Sequence, residues 1–276
     1  MIFDTHAHYD DEAFDTDREE ILSGLSSHGI KNIVNIGVDI PTSKNSIELA
    51  EIYDFIYAVI GFHPSEVRGM SEDDIDWLRA HVYKNVSAEE CIKHEEIADK
   101  ERNDKVIAIG EIGLDYHWSE SEEENRDQQH WFRRQIALAK EVGLPIVVHS
   151  RDAAADTMRI IKEEKAYETG GIIHCYSYSA EQAKEYVDMG FYIGVGGVVT
   201  YKNGRRLKET VEAVPLDHIV LETDCPYLSP EPFRGKRNDS TRLPYVVEAI
   251  AELKQVSPEQ VIDQTYKNAK NVYGII

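Results

Sequence analysis

Two histidines, His6 and His8, stand two residues apart in the opening segment Phe3-Asp4-Thr5-His6-Ala7-His8-Tyr9-Asp10. On an extended chain, side chains two apart face the same way, so this pair can grip one cation. Further along, Glu111, His149, His174 and Asp224 each follow a short apolar run. Nitrogen and oxygen donors without paired thiolates suit Zn, Mn, Co or Fe, and Mg less well where imidazole dominates. Six such ligands exceed the three protein ligands usual for one catalytic zinc. The set therefore predicts two divalent ions (Mg, Mn or Zn), with a carboxylate such as Glu111 bridging a pair roughly 3.5–4 Å apart. A water activated there would be the nucleophile of a hydrolysis. Asp224 is placed to hold a metal and take that water's proton, which makes Asp224 and Glu111 the catalytic candidates.

The elements that must position these groups are legible as well. Short apolar runs at 1–5, 32–36, 56–60, 106–109, 145–148, 171–173, 191–193 and 219–221 read as eight strands. Amphipathic stretches separate them. Asp39 with Pro41, Ser71 with Asp74, Ser179 with Gln182, and Ser257-Pro258 with Gln260 look like helix starts. Gly29, Gly143 and Gly190 sit where helices should stop. Alternating strands and helices over 276 residues predict a single α/β domain spanning 1–276, a (β/α)8 TIM barrel. The polar stretch 83–105 exceeds a normal connection and predicts an extra helical insertion before strand four. Six of the eleven histidines (His6, His8, His63, His117, His149 and His174) fall at or just after the C-terminal end of a predicted strand, where such barrels build their active sites. Arg234, Lys236 and Arg237 form a basic cluster in the loop after strand eight, a common place for phosphate capture in barrels.

Composition sets limits. Thirty Lys and Arg against 51 Asp and Glu give a formal charge of −21, which excludes a broad basic track for nucleic acid, so any phosphate must be caught locally. No apolar run reaches the ~18 residues a membrane span needs, and the first residues do not read as a secretion signal. The expectation is a cytoplasmic protein with no membrane partner. Three cysteines with no CxxC pair argue against a disulfide framework or a thiolate zinc site. Cys175 and Cys225 read as small packing residues that turn away from the neighbouring ligands.

Taken together the chain resembles the TatD family of metal-dependent deoxyribonucleases, within the amidohydrolase-like barrels. The motifs that carry the resemblance are FDTHAHYD from Phe3, IGFHP around His63, IGEIGLDYH from Ile109, PIVVHSR from Pro145, IIHCYS from Ile172, LETDCPYL from Leu221 and RGKRN from Arg234. They run in the family's order over nearly the whole chain. The resemblance implies that His6, His8, Glu111, His149, His174 and Asp224 are metal ligands and Asp224 the catalytic aspartate. It also implies that His63, His117 and Arg151 lie near the substrate phosphate, with Arg234 and Arg237 as further substrate contacts. The implied activity is a 3'-5' exodeoxyribonuclease acting on DNA ends or another phosphate-bearing substrate. Two departures bear on substrate shape: Tyr178 stands where the family usually has glycine after HCFS, and Asp239-Ser240-Thr241-Arg242 replaces an acidic-proline run. The competing readings are a hydrolase of small esters or amides, or of mischarged aminoacyl-tRNA, and a metal-dependent binding protein without turnover.

Overall fold

The computed structural model describes residues 1–84, 86 and 100–275. Eight strands form one sheet in sequential order: β1 (Ile2–Ala7), β2 (Ile30–Ile36), β3 (Ile56–Ile60), β4 (Val106–Asp115), β5 (Ile146–Arg151), β6 (Gly171–Ile173), β7 (Tyr192–Val195) and β8 (Ile219–Leu221). Every neighbouring pair is parallel. Just beyond β8, a parallel bridge between Ala7 and Cys225 and a bond from Asp224 N to the His6 carbonyl at 2.9 Å bring the last strand back to the first. The result is a nearly closed TIM barrel.

Alternation along the strands sorts side chains into two layers. Phe3, Val34, Val59, Val147, Ile172 and Val220 pack with one another in the set that fills the barrel. Ile33, Ala58, Val148, Ile173 and Leu221 pack outward against helix residues such as Leu49, Ile75, Ile136 and Val246.

The helices are α1 (Arg18–Gly24), α2 (Ile40–Ile52), α3 (Glu72–His81), α4 (Glu122–Val142), α5 (Ala154–Glu163), α6 (Ala180–Asp188), α7 (Arg205–Ala213), α8 (Leu243–Lys254) and α9 (Pro258–Tyr273), and local capping directs several of them. Asp39, Ser179 and Ser257 each accept a backbone N–H at their helix starts, which satisfies donors that have no partner inside the helix. Gly143 takes the left-handed conformation that ends α4.

Strand β4 differs most from the expectation of 106–109, because it continues to Asp115. Its glycines allow close approach. At Gly113, with φ of +146°, a Cβ would lie 1.9 Å from the His149 carbonyl, so only glycine lets β4 and β5 pair here. The expected insertion helix falls on residues outside those described. At its edges Tyr83 and Arg102 form an antiparallel bridge, which brings the two ends of the insertion together. No helix among the described residues is long and apolar enough to cross a membrane.

Candidate metal centre

The C-terminal ends of β1, β5 and β6, the middle of β4 and the turn after β8 bring six donors into one cluster. His6 Nε2 lies 3.2 Å from His8 Nε2, 3.4 Å from Glu111 Oε2 and 3.7 Å from Asp224 Oδ1. Asp224 Oδ1 is also 3.5 Å from His8 Nε2 and 3.6 Å from His174 Nε2. Glu111 Oε1 meets His149 Nδ1 at 2.8 Å and His174 Nε2 at 3.9 Å. The His6 and His174 rings stack with centroids 3.4 Å apart. His6, His8 and Asp224 form one group of donors close enough to share an ion, and His63, Glu111 and His149 form another. The two oxygens of Glu111 face one group each.

Hydrogen bonds behind the rings decide which nitrogen faces the centre. His8 Nδ1 donates to the Ile36 carbonyl at 3.0 Å, so Nε2 of the neutral ring presents a lone pair. His174 Nδ1 lies 3.0 Å from Glu222 Oε2, and His149 Nε2 lies 3.1 Å from Asp115 Oδ2. A carboxylate behind an imidazole fixes its tautomer and raises its basicity, the usual arrangement for a histidine that binds metal. Neither Asp115 nor Glu222 was among the expected site residues. A signal did exist, since Glu222 stands two residues before Asp224, the same spacing as His6 and His8, and a carboxylate ending an apolar run must find a partner. Gly194 makes room for it, because a Cβ there would lie 2.2 Å from Glu222 Oε2.

The turn that carries Asp224 is held from below. Asp4 is fully buried and accepts from Thr223 N at 3.0 Å, Thr223 Oγ1 at 2.7 Å and Ser240 Oγ at 2.6 Å. Asp224 itself has φ of +56°, a left-handed conformation that aspartate tolerates better than most residues. Its side chain is 19% exposed against 5% for Glu111, so Asp224 is the cluster carboxylate that reaches the mouth.

The charges explain why such a cluster calls for cations. Burial alone would strip the proton from His174, but Glu222, Glu111 and Asp224 around it outweigh burial and push it up to about 10. Burial is likewise overcome at His149 by Asp115 and Glu111, to about 9, and at His8 by Asp224, to about 8. Burial opposes ionisation of Glu111, yet His6 and His174 hold it well below the usual carboxylate range. At His6 and His63 burial wins, lowering the latter to about 4. Converging lone pairs among four carboxylates form a site short of positive charge, and this donor set fits divalent metal ions. His6 Nδ1 has no hydrogen-bond partner among the described residues.

The other expected contacts are arranged differently. The His63 ring stands edge-on to His149, with centroids 4.3 Å apart. His117 Nδ1 pairs with Asp152 Oδ2 at 3.0 Å, and the Arg151 guanidinium lies over the Trp118 ring. Arg234 lies over the Tyr201 ring and donates to Asn203. Arg237 binds both oxygens of Asp17, at 2.9 and 2.6 Å, so its fork is already filled. Tyr178 turns its hydroxyl to Ser150 Oγ at 3.0 Å and Ala153 N at 3.2 Å, tying the turn after β6 to that after β5. Cys175 corrects the expectation that it packs away from the ligands. It groups with His174 and Asp224, because φ of +44° takes it off the strand and alternation no longer applies. Cys225 is buried as expected.

Comparison with known proteins gives the family and the fold. A family model described as TatD related DNase matches residues 3–274. The chain is 46% identical over 275 residues to the uncharacterized metal-dependent hydrolase YabD of Bacillus subtilis, covering 100% of both. It is 27% identical to the 3'-5' ssDNA/RNA exonuclease TatD of Klebsiella pneumoniae, over 99% of this chain and 98% of that one. The crystal structure of YJJV, a TatD homolog from Escherichia coli K12, superposes with a TM-score of 0.85 at 26% identity, covering 100% of this chain and 98% of that one.

Proposed function

We propose that this chain, which belongs to the TatD family of metal-dependent hydrolases, cleaves phosphodiester bonds of single-stranded nucleic acid from an end. The observation that carries the proposal is the cluster of His6, His8, Glu111, His149, His174 and Asp224, in which Glu111 turns one oxygen to each of two donor groups. That division is what two ions require. Divalent cations bound there would acidify a water and offset the charge that builds on phosphate in the transition state.

The chain's own groups do the rest. His6, His8 and Asp224 form one half of the site, with Glu111 and His149 as the other and His174 between them. Glu222 and Asp115 hold the His174 and His149 rings in orientation. Asp224, ionised and nearest the mouth, accepts the proton of the attacking water. His63 and Arg151 at the rim take the phosphate. Arg237 would do so only after releasing Asp17. An end fits this pocket better than the interior of a strand, because a chain of charge −21 has no basic track to follow a backbone.

The engagement of Arg234 and Arg237 with protein partners favours one second reading, hydrolysis of a small ester or amide or of mischarged aminoacyl-tRNA, in which those arginines are not needed. One assay separates the two: a labelled linear strand, a closed circle of the same sequence, aminoacyl-tRNA and small esters, each with Mg, Mn and Zn. The linear strand alone should be degraded, and Asp224→Asn should reduce that by about 10²–10⁴-fold, the usual cost of losing a general base. Equal cleavage of the circle removes the end requirement. An inert linear strand beside a hydrolysed ester transfers the function to the second reading.

A further inference from the structure

We propose that Trp118 and Arg151 clamp one nucleotide of the substrate, Trp118 stacking on its base in the cavity beside the metal centre and Arg151 reaching its phosphate; the inference rests on the nuclease reading above. Trp118 is 68% exposed, among the largest exposures of any apolar side chain described. It lines a cavity of about 510 Å³ that Asp115 also lines. Asp115 is the carboxylate behind His149, and its Oδ1 accepts from His117 N at 3.0 Å and Trp118 N at 3.4 Å. The backbone that carries the indole is therefore anchored to the same side chain that orients a metal-site imidazole. A base held there lies next to the phosphate being cut.

Arg151 supplies the second observation. It is two residues beyond His149 on β5, pairs in register with Asp115, and sets its guanidinium 5.5 Å from the centre of the Trp118 ring. In this acid-rich chain it makes no ion pair among the described residues, whereas Arg237 is neutralised by Asp17. A free guanidinium beside an exposed indole is placed to reach the phosphate of the base that the indole stacks on.

The cavity wall settles which part of a nucleotide enters. Asp115, Glu120, Glu123, Glu124 and Asp127 stand against Arg68, so a phosphate is repelled while an uncharged base with exocyclic amino groups is accepted. The arrangement selects a base-bearing end over a bare sugar-phosphate end, and selects little among bases, because every base has a face to stack.

The test compares a single strand ending in ordinary nucleotides with the same strand ending in abasic ones, for the wild type, Trp118→Ala and Trp118→Phe. The wild type should prefer the base-bearing end by roughly ten- to a hundredfold, mainly through KM, the range alanine substitution gives for base–aromatic stacking. Trp118→Ala should bring that preference close to one, and Trp118→Phe should keep most of it. A wild type that degrades both ends equally, or a Trp118→Ala protein that keeps the preference, overturns the clamp while leaving the nuclease reading standing. A wild type that degrades neither strand with any metal overturns the nuclease reading and the clamp with it.

Discussion

At this centre protons would compete with divalent cations for the same lone pairs. His8, His149 and His174 are raised above the ordinary histidine value of 6.5 to about 8, 9 and 10. Protonation of these rings therefore stabilises chelator-treated protein fully below 6.5, and that contribution is lost as pH rises through 8 to 10. A cation must displace the same protons, so apparent metal affinity should rise between pH 7 and 10, by about tenfold per unit for each proton displaced. Titrating metal into chelator-treated protein in two buffers of different ionisation enthalpy measures the protons released. Removing the carboxylate behind His174 with Glu222→Gln should lower its share of that release near pH 9. Affinity flat with pH and no proton release would show that these imidazoles are not the ligands.

At the scale of elements, the site depends on how tightly β4 and β5 run together, since Glu111 and Asp115 come from one and His149 from the other. Gly113 sits opposite His149 in that ladder, where an added methyl would meet backbone rather than a yielding side chain. Gly113→Ala should therefore lose about 1–3 kcal/mol from the unfavourable φ alone, with the steric overlap adding to it. The separation of β4 from β5 should weaken metal binding at the same time. Thermal unfolding and a metal titration of the same sample check both. A variant with unchanged Tm and unchanged metal affinity would mean that the ladder accommodates a Cβ and does not set the position of His149. The capping residues behave differently: Asp39 and Ser257 serve their own helices, and substitutions there should lower stability without touching the metal.

Across the whole molecule, the centre joins segments that the chain keeps far apart. His6 on β1 and Asp224 beyond β8 are brought together only when the barrel closes, and Asp224 N on the His6 carbonyl is part of that closure. Metal that binds only the closed barrel should stabilise it by about 2.7 kcal/mol at a hundredfold excess over Kd. For a domain of this size that corresponds to a Tm higher by roughly 5–10 °C than in chelator. Differential scanning calorimetry with and without metal measures the shift, and Asp224→Asn should reduce it. An unchanged Tm at saturating metal would place the ions away from the strands that close the barrel.

The sequence by itself determined the eight-strand alternation, the starts of α2, α3, α6 and α9 and the types of the six donors, because apolar runs, caps and ligand chemistry are local properties of a few adjacent residues. It left β4 too short, since Gly110 and Gly113 have no side chain to favour a strand, and what they supply is the space β5 needs alongside. It also did not show Asp115 and Glu222 as partners of His149 and His174, or Asp17 as the partner of Arg237 from 220 positions away. Those pairings decide which nitrogen of each ring faces the centre and which arginines are free for substrate. Only the tertiary structure decided them, because a side chain's direction is set by the groups that surround it after folding, and these come from strands and loops distant in the chain.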